Sequence, residues 1–354
     1  MVTVPRSLTV GISKVQIPSV HIDRLDRAVA VVAMNGTLGR VPVGNIVPPP
    51  NMPVLNPPME TMATRTKPAF VAAPDLYAAM TSHIVTFSHL ADLCFKNAVL
   101  PDGIYNIIHS LTGLRVLHIE FCTFSPGTIA GAWDHTTLPI TELSLRGLDG
   151  GALVSNALSL AKAHNLRVLR FDATACIFRF FTRTNPGVVH VVPQRLEYID
   201  VRLPDKKCWP SDPSDAQQSY IAPLTDFLAM CPSVVRLSIG NYMPEFVLPV
   251  GILPNLRQYK GPMSTVVTVT GHRPITDLNI SDAGTKLLDW TDTLTSLAKS
   301  HPSLQELVAY VPTWDDEILY AVTQLFPNLH MLHIRYGAGN PSEVRNITFK
   351  LPVY

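Results

Sequence analysis

A six-residue phrase, Leu-x-x-Leu-x-(Leu/Ile/Phe), returns along this chain and limits its fold more than any other feature. It stands at Leu90–Phe95, Leu114–Ile119, Ile140–Leu145, Leu166–Phe171 and Leu196–Val201. It recurs at Val234–Ile239, Ile275–Ile280, Leu304–Ala309 and Leu329–Ile334, with a degenerate copy at Leu256–Gly261. Its central apolar residues are Leu93, Leu117, Leu143, Leu169, Ile199, Leu237, Tyr259, Leu278, Leu307 and Leu332, separated by 24, 26, 26, 30, 38, 22, 19, 29 and 25 residues. Most of these steps lie in or near the window of about 20–29 residues that leucine-rich repeats occupy. Within a hexad the apolar residues alternate, so one set faces a core and the other faces outward. A single strand–helix unit cannot bury its apolar face alone, so the copies must stack. The expected fold is α/β: a leucine-rich-repeat solenoid, with a curved parallel sheet on the concave side and helices and loops on the convex side.

The segments between hexads suit return helices at Pro101–Leu111, Gly150–His164, Ala216–Cys231, Thr285–Ser300 and Trp314–Phe326. Several stop with one punctuation, Cys-Pro-Ser-Val (231–234), His-Pro-Ser-Leu (301–304) and Phe-Pro-Asn-Leu (326–329). A proline just past a helix end blocks continuation and leads into an extended strand. Leu-Pro-Asn-Leu (253–256) has the phrase without a helical segment before it, which predicts an irregular connection. The asparagine usual three residues after the hexad is missing, so no continuous asparagine ladder is expected there. The longest steps imply insertions, notably Pro204–Ser219, which reads as a polar surface loop.

The solenoid is expected over residues 75–354. Residues 1–74 are expected to form a separate proline-rich segment, partly disordered, in which Ile12–Ile17 alternates like a strand and Ala28–Ala33 reads as a buried strand, both able to cap the first repeat. Asn346–Tyr354 reads as a last strand at the other end. Proline totals 31 residues, concentrated around Val41–Pro74.

Charged residues make up 16% and hydrophobic ones 47%, whereas a disordered chain is charge-rich and apolar-poor. A formal net charge of +1 carries no long-range field, which argues against nucleic acid or an anionic membrane as the partner. No signal sequence is recognisable after Met1, and the apolar run Ala28–Met34 is too short to span a bilayer. The five cysteines include no CxxC pair and fit free thiols in a reducing compartment. The expectation is an intracellular protein, cytoplasmic or nuclear.

No phosphate-binding, zinc-protease or nucleophile-elbow motif is present, and no catalytic residue, metal site or cofactor is expected. The scattered histidines read as structural. In Thr313–Glu317, Thr313 is expected to cap a helix, with Asp315 and Asp316 complementing its dipole. Leu100–Leu111 opens with the Leu-Pro of an F-box, but hexads flank it, and a return helix accounts for it. Function is expected on the concave face, where side chains are not used by the core. The residues immediately after successive hexads, Glu120, Arg146, Asp172 and Arg202, alternate in sign between strands about 4.8 Å apart. They would form a stabilising charge ladder, or a polar strip that reads a partner together with His118, Arg170, Asp200, His333 and Arg335. Trp209, in the inserted loop, is the tryptophan expected to make an exposed contact. A hydrolase pairing His118 with Asp200 is disfavoured, because three strands put them about 14 Å apart, beyond direct proton transfer.

The phrases LTGLRVLHIEFCTF (111–124), MCPSVVRLSIG (230–240), LPNLRQYKGPMSTVVTVTGHRPITDLNI (253–280) and FPNLHMLHIRYGAGNPSE (326–343) resemble the repeat region of fungal F-box proteins, which basidiomycetes carry in large families. The resemblance covers about Ser82–Glu343. It implies repeats that capture a protein substrate, joined to an F-box that binds the adaptor of a cullin-type ubiquitin ligase. No F-box is recognisable in residues 1–80, so the chain is expected to be a truncated relative or a capture module alone. An adaptor partner would require an F-box in the full gene product, and without one the alternative is a scaffold or decoy with no ligase role.

Overall fold

Each hexad becomes a strand because its alternating leucines can reach a dry interior only from extended backbone. The computed structural model describes residues 7–11, 29–32, 81–87, 89–124, 133–148, 157–173, 195–204, 220–240, 246–282, 287–313, 316–338 and 346–350. The hexad strands are β3 (Asp92–Lys96), β5 (Val116–Glu120), β7 (Glu142–Arg146), β8 (Val168–Asp172) and β9 (Tyr198–Arg202). They continue as β10 (Arg236–Gly240), β11 (Gln258–Pro262), β12 (Asp277–Asp282), β13 (Glu306–Thr313) and β14 (Met331–Ala338). All ten lie side by side and parallel in one sheet. The ten central apolar residues meet one another in register from Leu93 to Leu332, and each is buried. The chain is an α/β leucine-rich-repeat solenoid.

The sheet extends beyond the hexads at both ends. β1 (Ser7–Gly11) pairs in parallel with β3, and β2 (Val29–Val32) pairs in parallel with β1. Leu8 and Ala30 continue the same register column from Leu93. Ile12–Ile17 and the proline-rich stretch 41–74 lie outside the described residues, and the first strand stands just before them, at Ser7–Gly11. At the other end β15 (Asn346–Lys350) adds antiparallel to β14, so the expected last strand is present with its direction reversed. A second, two-stranded sheet joins β4 (Val99–Leu100) to β6 (Thr123–Phe124).

One hydrogen-bond device sets the register of successive strands. A single carbonyl in each repeat accepts two consecutive N–H groups of the next: Ala91 from Arg115 and Val116, Arg115 from Thr141 and Glu142, and so on to Gln305 from His330 and Met331. Where the proline phrase precedes a hexad it closes a tight turn, with Val234 donating to Cys231, Leu304 to His301 and Leu329 to Phe326. The asparagines inside that phrase tie repeats together, Asn255 Nδ2 to the Pro232 carbonyl at 3.2 Å and Asn328 Nδ2 to the Pro302 carbonyl at 3.0 Å. The side-chain ties therefore precede the hexad instead of following it. The usual post-hexad slots hold the buried Ala98 and Cys122.

The convex layer contains α1 (Ile104–Ser110), α2 (Ala222–Ala229), α3 (Met263–Thr270), α4 (Leu287–Ser300) and α5 (Asp316–Leu325). Leu100–Leu111 is indeed a return helix, burying Ile104, Tyr105, Ile107 and Ile108. Helix α4 buries Trp290, Leu294 and Leu297 at the spacing of a single helical face. Of the expected helix 150–164, the described part is short, with a 3-10 turn at Ser159–Lys162. Thr313 ends strand β13, two residues short of α5. The residues between them, 314–315, and the expected capping contact lie outside the described residues.

Helix α3 was not expected from its sequence, Met-Ser-Thr-Val-Val-Thr-Val-Thr, whose β-branched run favours a strand. The 19-residue step between Tyr259 and Leu278 leaves room for one compact return. A helix there satisfies its own backbone while burying Met263, Val266 and Val269. Its threonines bond back to carbonyls, Thr265 to Pro262 at 3.0 Å and Thr270 to Val266 at 2.7 Å.

Candidate functional site

The concave sheet carries its charges in rows fixed by strand register. The row nearest the strand ends reads Lys96, Glu120, Arg146 and then, on the next two strands, Asp172 and Arg202. The next row inward reads Cys94, His118, Ser144, Arg170 and Asp200. Seven of the expected concave residues, His118, Glu120, Arg146, Arg170, Asp172, Asp200 and Arg202, thus share one patch across β5 to β9. His333 and Arg335 share the face but lie on β14, five strands beyond β9, about 24 Å from the patch. There Arg335 Nε donates to His333 Nε2 at 3.2 Å. Trp209 lies outside the described residues.

The expected ladder of lateral pairs forms only in part. Lys96 meets Glu120 at 3.8 Å and Arg202 meets Asp172 at 3.9 Å. The stronger contacts run diagonally: Arg146 Nη2 donates to Asp200 Oδ2 at 2.6 Å, reaching past β8. Glu142, absent from the sequence-based set, is the hub. Its Oε1 takes a hydrogen bond from His118 Nε2 at 3.0 Å and another from Arg170 Nη1. The Arg170 guanidinium also lies 5.6 Å from the centre of the Tyr198 ring, within cation–π range. Ser144 Oγ donates to Glu120 Oε1, and the Gly147 N–H donates to Asp172 Oδ2 at 2.6 Å. Glu142 was not legible in the sequence because it stands at the start of its strand, two residues before the row of His118, Arg170 and Asp200.

These contacts set protonation. Hydrogen bonds to Cys94 and Glu142 outweigh burial and raise His118 to about 9. Glu142 is lowered to about 2, chiefly by the His118 hydrogen bond and then by Arg170, against burial. At neutral pH an imidazolium and a carboxylate therefore face each other. The raised histidine contributes fully below its ordinary value of 6.5, and its contribution is lost as pH rises through about 9. The depressed glutamate contributes above its ordinary 4.5, and its contribution is lost as pH falls through about 2. The stability difference between wild type and Glu142→Gln is accordingly expected to plateau between about pH 4.5 and 6.5 and to shrink on both sides. A plateau difference of about 1–3 kcal/mol is expected, and urea unfolding of both proteins across pH measures it. A difference that is flat from pH 3 to 10 would contradict the assignment.

Phe121 was also missed, and its signal is conformational. Asn97, Phe121 and Gly147 each follow the last strand residue of their repeat, with φ of 52°, 54° and 58°. Asparagine and glycine suit this left-handed turn, whereas a phenylalanine there is a genuine outlier. Its ring, 38% exposed, lies over Gly147, where an added Cβ would come within 2.2 Å of the Phe121 ring. Phe121, Lys96, Arg146 and Arg202 line a depression of ≈ 440 Å³ with His118, Glu142 and Arg170.

Cys94, His118 and Glu142 form a thiol–imidazole–carboxylate series on adjacent strands. The backbone of β3 is committed to ladders with β1 and β5, so it offers no convergent N–H pair for an oxyanion. The arrangement presents fixed charges on adjacent strands. His118 and Asp200 have different partners, Glu142 and Arg146 respectively. Away from the sheet, His109 and His135 bond each other at 3.0 Å, and the His109 ring stacks on Trp133. Burial, and then His109, lowers His135 to about 4. Among the described residues no group of three or more histidines, cysteines and carboxylates could hold a metal ion, and no helix is long and apolar enough to cross a membrane.

No protein-family model and no curated protein matches this chain. Among solved structures, the chain is similar to an internalin from Listeria monocytogenes, with a TM-score of 0.38 and 14% identity, over 75% of this chain and 72% of that one. The solenoid assignment rests on this chain's own ten-strand register.

Proposed function

We propose that this chain is a non-enzymatic protein-binding module that acts inside the cell and offers its concave sheet to a partner. The observation that carries this reading is the patch on β3 to β9. There charged side chains and one strained, half-exposed phenylalanine are held by a rigid ladder and are not needed by the core. Such placement suits recognition, because the side chains lose little further freedom on binding. The finer reading, which rests on the resemblance of four phrases to fungal F-box proteins, is substrate recognition for a cullin-type ubiquitin ligase.

Two measurements test these levels separately. Substituting Arg146→Glu turns the Asp200 contact into a like-charge one and is expected to abolish capture of the cellular partner while the repeats stay folded. Capture that is unchanged by this and other concave substitutions would refute the concave-face reading. Co-elution of the purified full chain with a recombinant cullin-ligase adaptor is the result expected of the ligase role. Failure to co-elute leaves a scaffold or decoy, the reading favoured by the lack of a recognisable F-box in residues 1–80.

A further inference from the structure

Resting on the concave-face reading above, we propose that the depression on β3 to β9 takes an extended acidic segment of a partner protein. Two of its carboxylates would reach Lys96 and Arg202, with an apolar side chain between them set against Phe121.

The order of the charges supports this. Along the strand ends the row runs Lys96, Glu120, Arg146, Asp172, Arg202, so both of its ends are cationic. The next register positions outward are glycines, Gly11 beside Lys96 and Gly240 beside Arg202, and no side chain there stands beside the terminal cations. Exposure follows the same pattern. The side chains of Lys96 and Arg202 are 49% and 42% exposed, whereas those of Glu120, Glu142, Asp172 and Asp200 are 21%, 24%, 24% and 19% exposed. The carboxylates are sunk and each takes at least one internal hydrogen bond, while the two terminal cations stand out. The depression itself is lined by five basic side chains, Lys96, His118, Arg146, Arg170 and Arg202, against the carboxylates of Glu120 and Glu142. A basic segment would meet those cations first.

Spacing narrows the ligand. Lys96 and Arg202 are four strand intervals apart, about 19 Å, which an extended peptide covers in about six residues. Phe121 lies between them, beside Gly147. The left-handed backbone at φ 54° holds a bulky side chain where asparagine or glycine would be relaxed. Such strain persists where the residue has a use beyond folding. A polyanion such as nucleic acid fits less well, because four interleaved carboxylates would repel its continuous charge. Two separated acids match the two ends of the row.

The test is a display selection of random peptides about twelve residues long on the immobilised full chain, long enough to span the row. Fluorescence anisotropy of the enriched peptides follows on wild type, the double variant Lys96→Glu/Arg202→Glu, and Phe121→Asn. Enriched sequences are expected to carry two acids five to seven residues apart around an apolar residue. Their affinity is expected to fall about tenfold or more in the double variant and in high salt. Phe121→Asn is expected to bind about tenfold more weakly while unfolding at no lower temperature than wild type, a combination that a merely structural role would not produce. Enrichment of neutral or basic peptides that the double variant fails to bind would overturn the acidic assignment and leave the concave face as the binding surface. No enrichment, or enriched peptides indifferent to all three substitutions, would overturn both.

Discussion

Replacing Arg273 with methionine is expected to destabilise the solenoid by about 4 kcal/mol or more, the largest effect of any single polar substitution considered. Arg273 is a nearly buried cation, 7% exposed, and its bonds all go to backbone. Its Nε and Nη2 both reach the Ile252 carbonyl, at 2.9 and 2.8 Å, and Nη1 reaches Val269 at 2.6 Å. Nη2 also reaches Pro249 at 2.8 Å and, at 3.4 Å, Leu248. The guanidinium therefore staples the irregular chain before Leu253 to the end of helix α3. Burial lowers its pKa, yet an arginine stays charged in proteins. Methionine fills much of the volume but donates nothing, and each buried carbonyl left without a donor costs about 1–3 kcal/mol. Lysine keeps the charge but lacks the planar fork, so Arg273→Lys is expected to recover only part of the loss. Hydrogen exchange at Gly271, whose N–H bonds to Val267, reads the effect where it occurs. An expected loss of about 4 kcal/mol is a roughly thousandfold drop in protection. A loss below about 1 kcal/mol would show that water can replace the guanidinium.

The second large effect is expected at Gly261. In the degenerate hexad Leu256–Gly261, tyrosine takes the place of the central leucine and glycine the place of the last apolar residue. The structure explains both together. Tyr259 is fully buried, and its hydroxyl bonds Thr265 Oγ1 at 2.7 Å. A Cβ on Gly261 would lie 2.1 Å from that hydroxyl and 2.5 Å from the ring carbon that carries it. One oversized side chain thus fills two inward positions. Gly261→Ala is expected to cost about 2–3 kcal/mol through overpacking. Tyr259→Phe removes the nearest atom and is expected to cost about 1 kcal/mol for the lost hydrogen bond. The double variant is then expected to be less destabilised than the sum of the two, because the clash and the hydroxyl are one interaction. Strict additivity of the three unfolding free energies would sink this account.

The concave patch shows how far reading by position carries. Glu120, Arg146, Asp172 and Arg202 were legible because equivalent residues of stacked repeats must become neighbours once the leucines are in register. Their partners were not legible in the same way. Arg146 passes its nearest neighbours to reach Asp200, and Glu142 gathers His118 and Arg170, because side-chain length and strand offset decide which charges meet. Phe121 carried no signal in its residue type. Only its backbone angle, shared with Asn97 and Gly147, marks it. Helix α3 was hidden by local preference, since its threonines and valines favour strands until burial forces their backbone to bond internally.

The leucine spacing by itself determined the strand register and the buried column from Leu93 to Leu332, because a period-two pattern repeated at nearly constant distance has one economical way to leave water. Tertiary structure decided the diagonal charge lattice, the Arg273 staple and the exchange of volume between Tyr259 and Gly261. Each of these depends on distances between atoms from different repeats, which packing sets and no stretch of sequence contains.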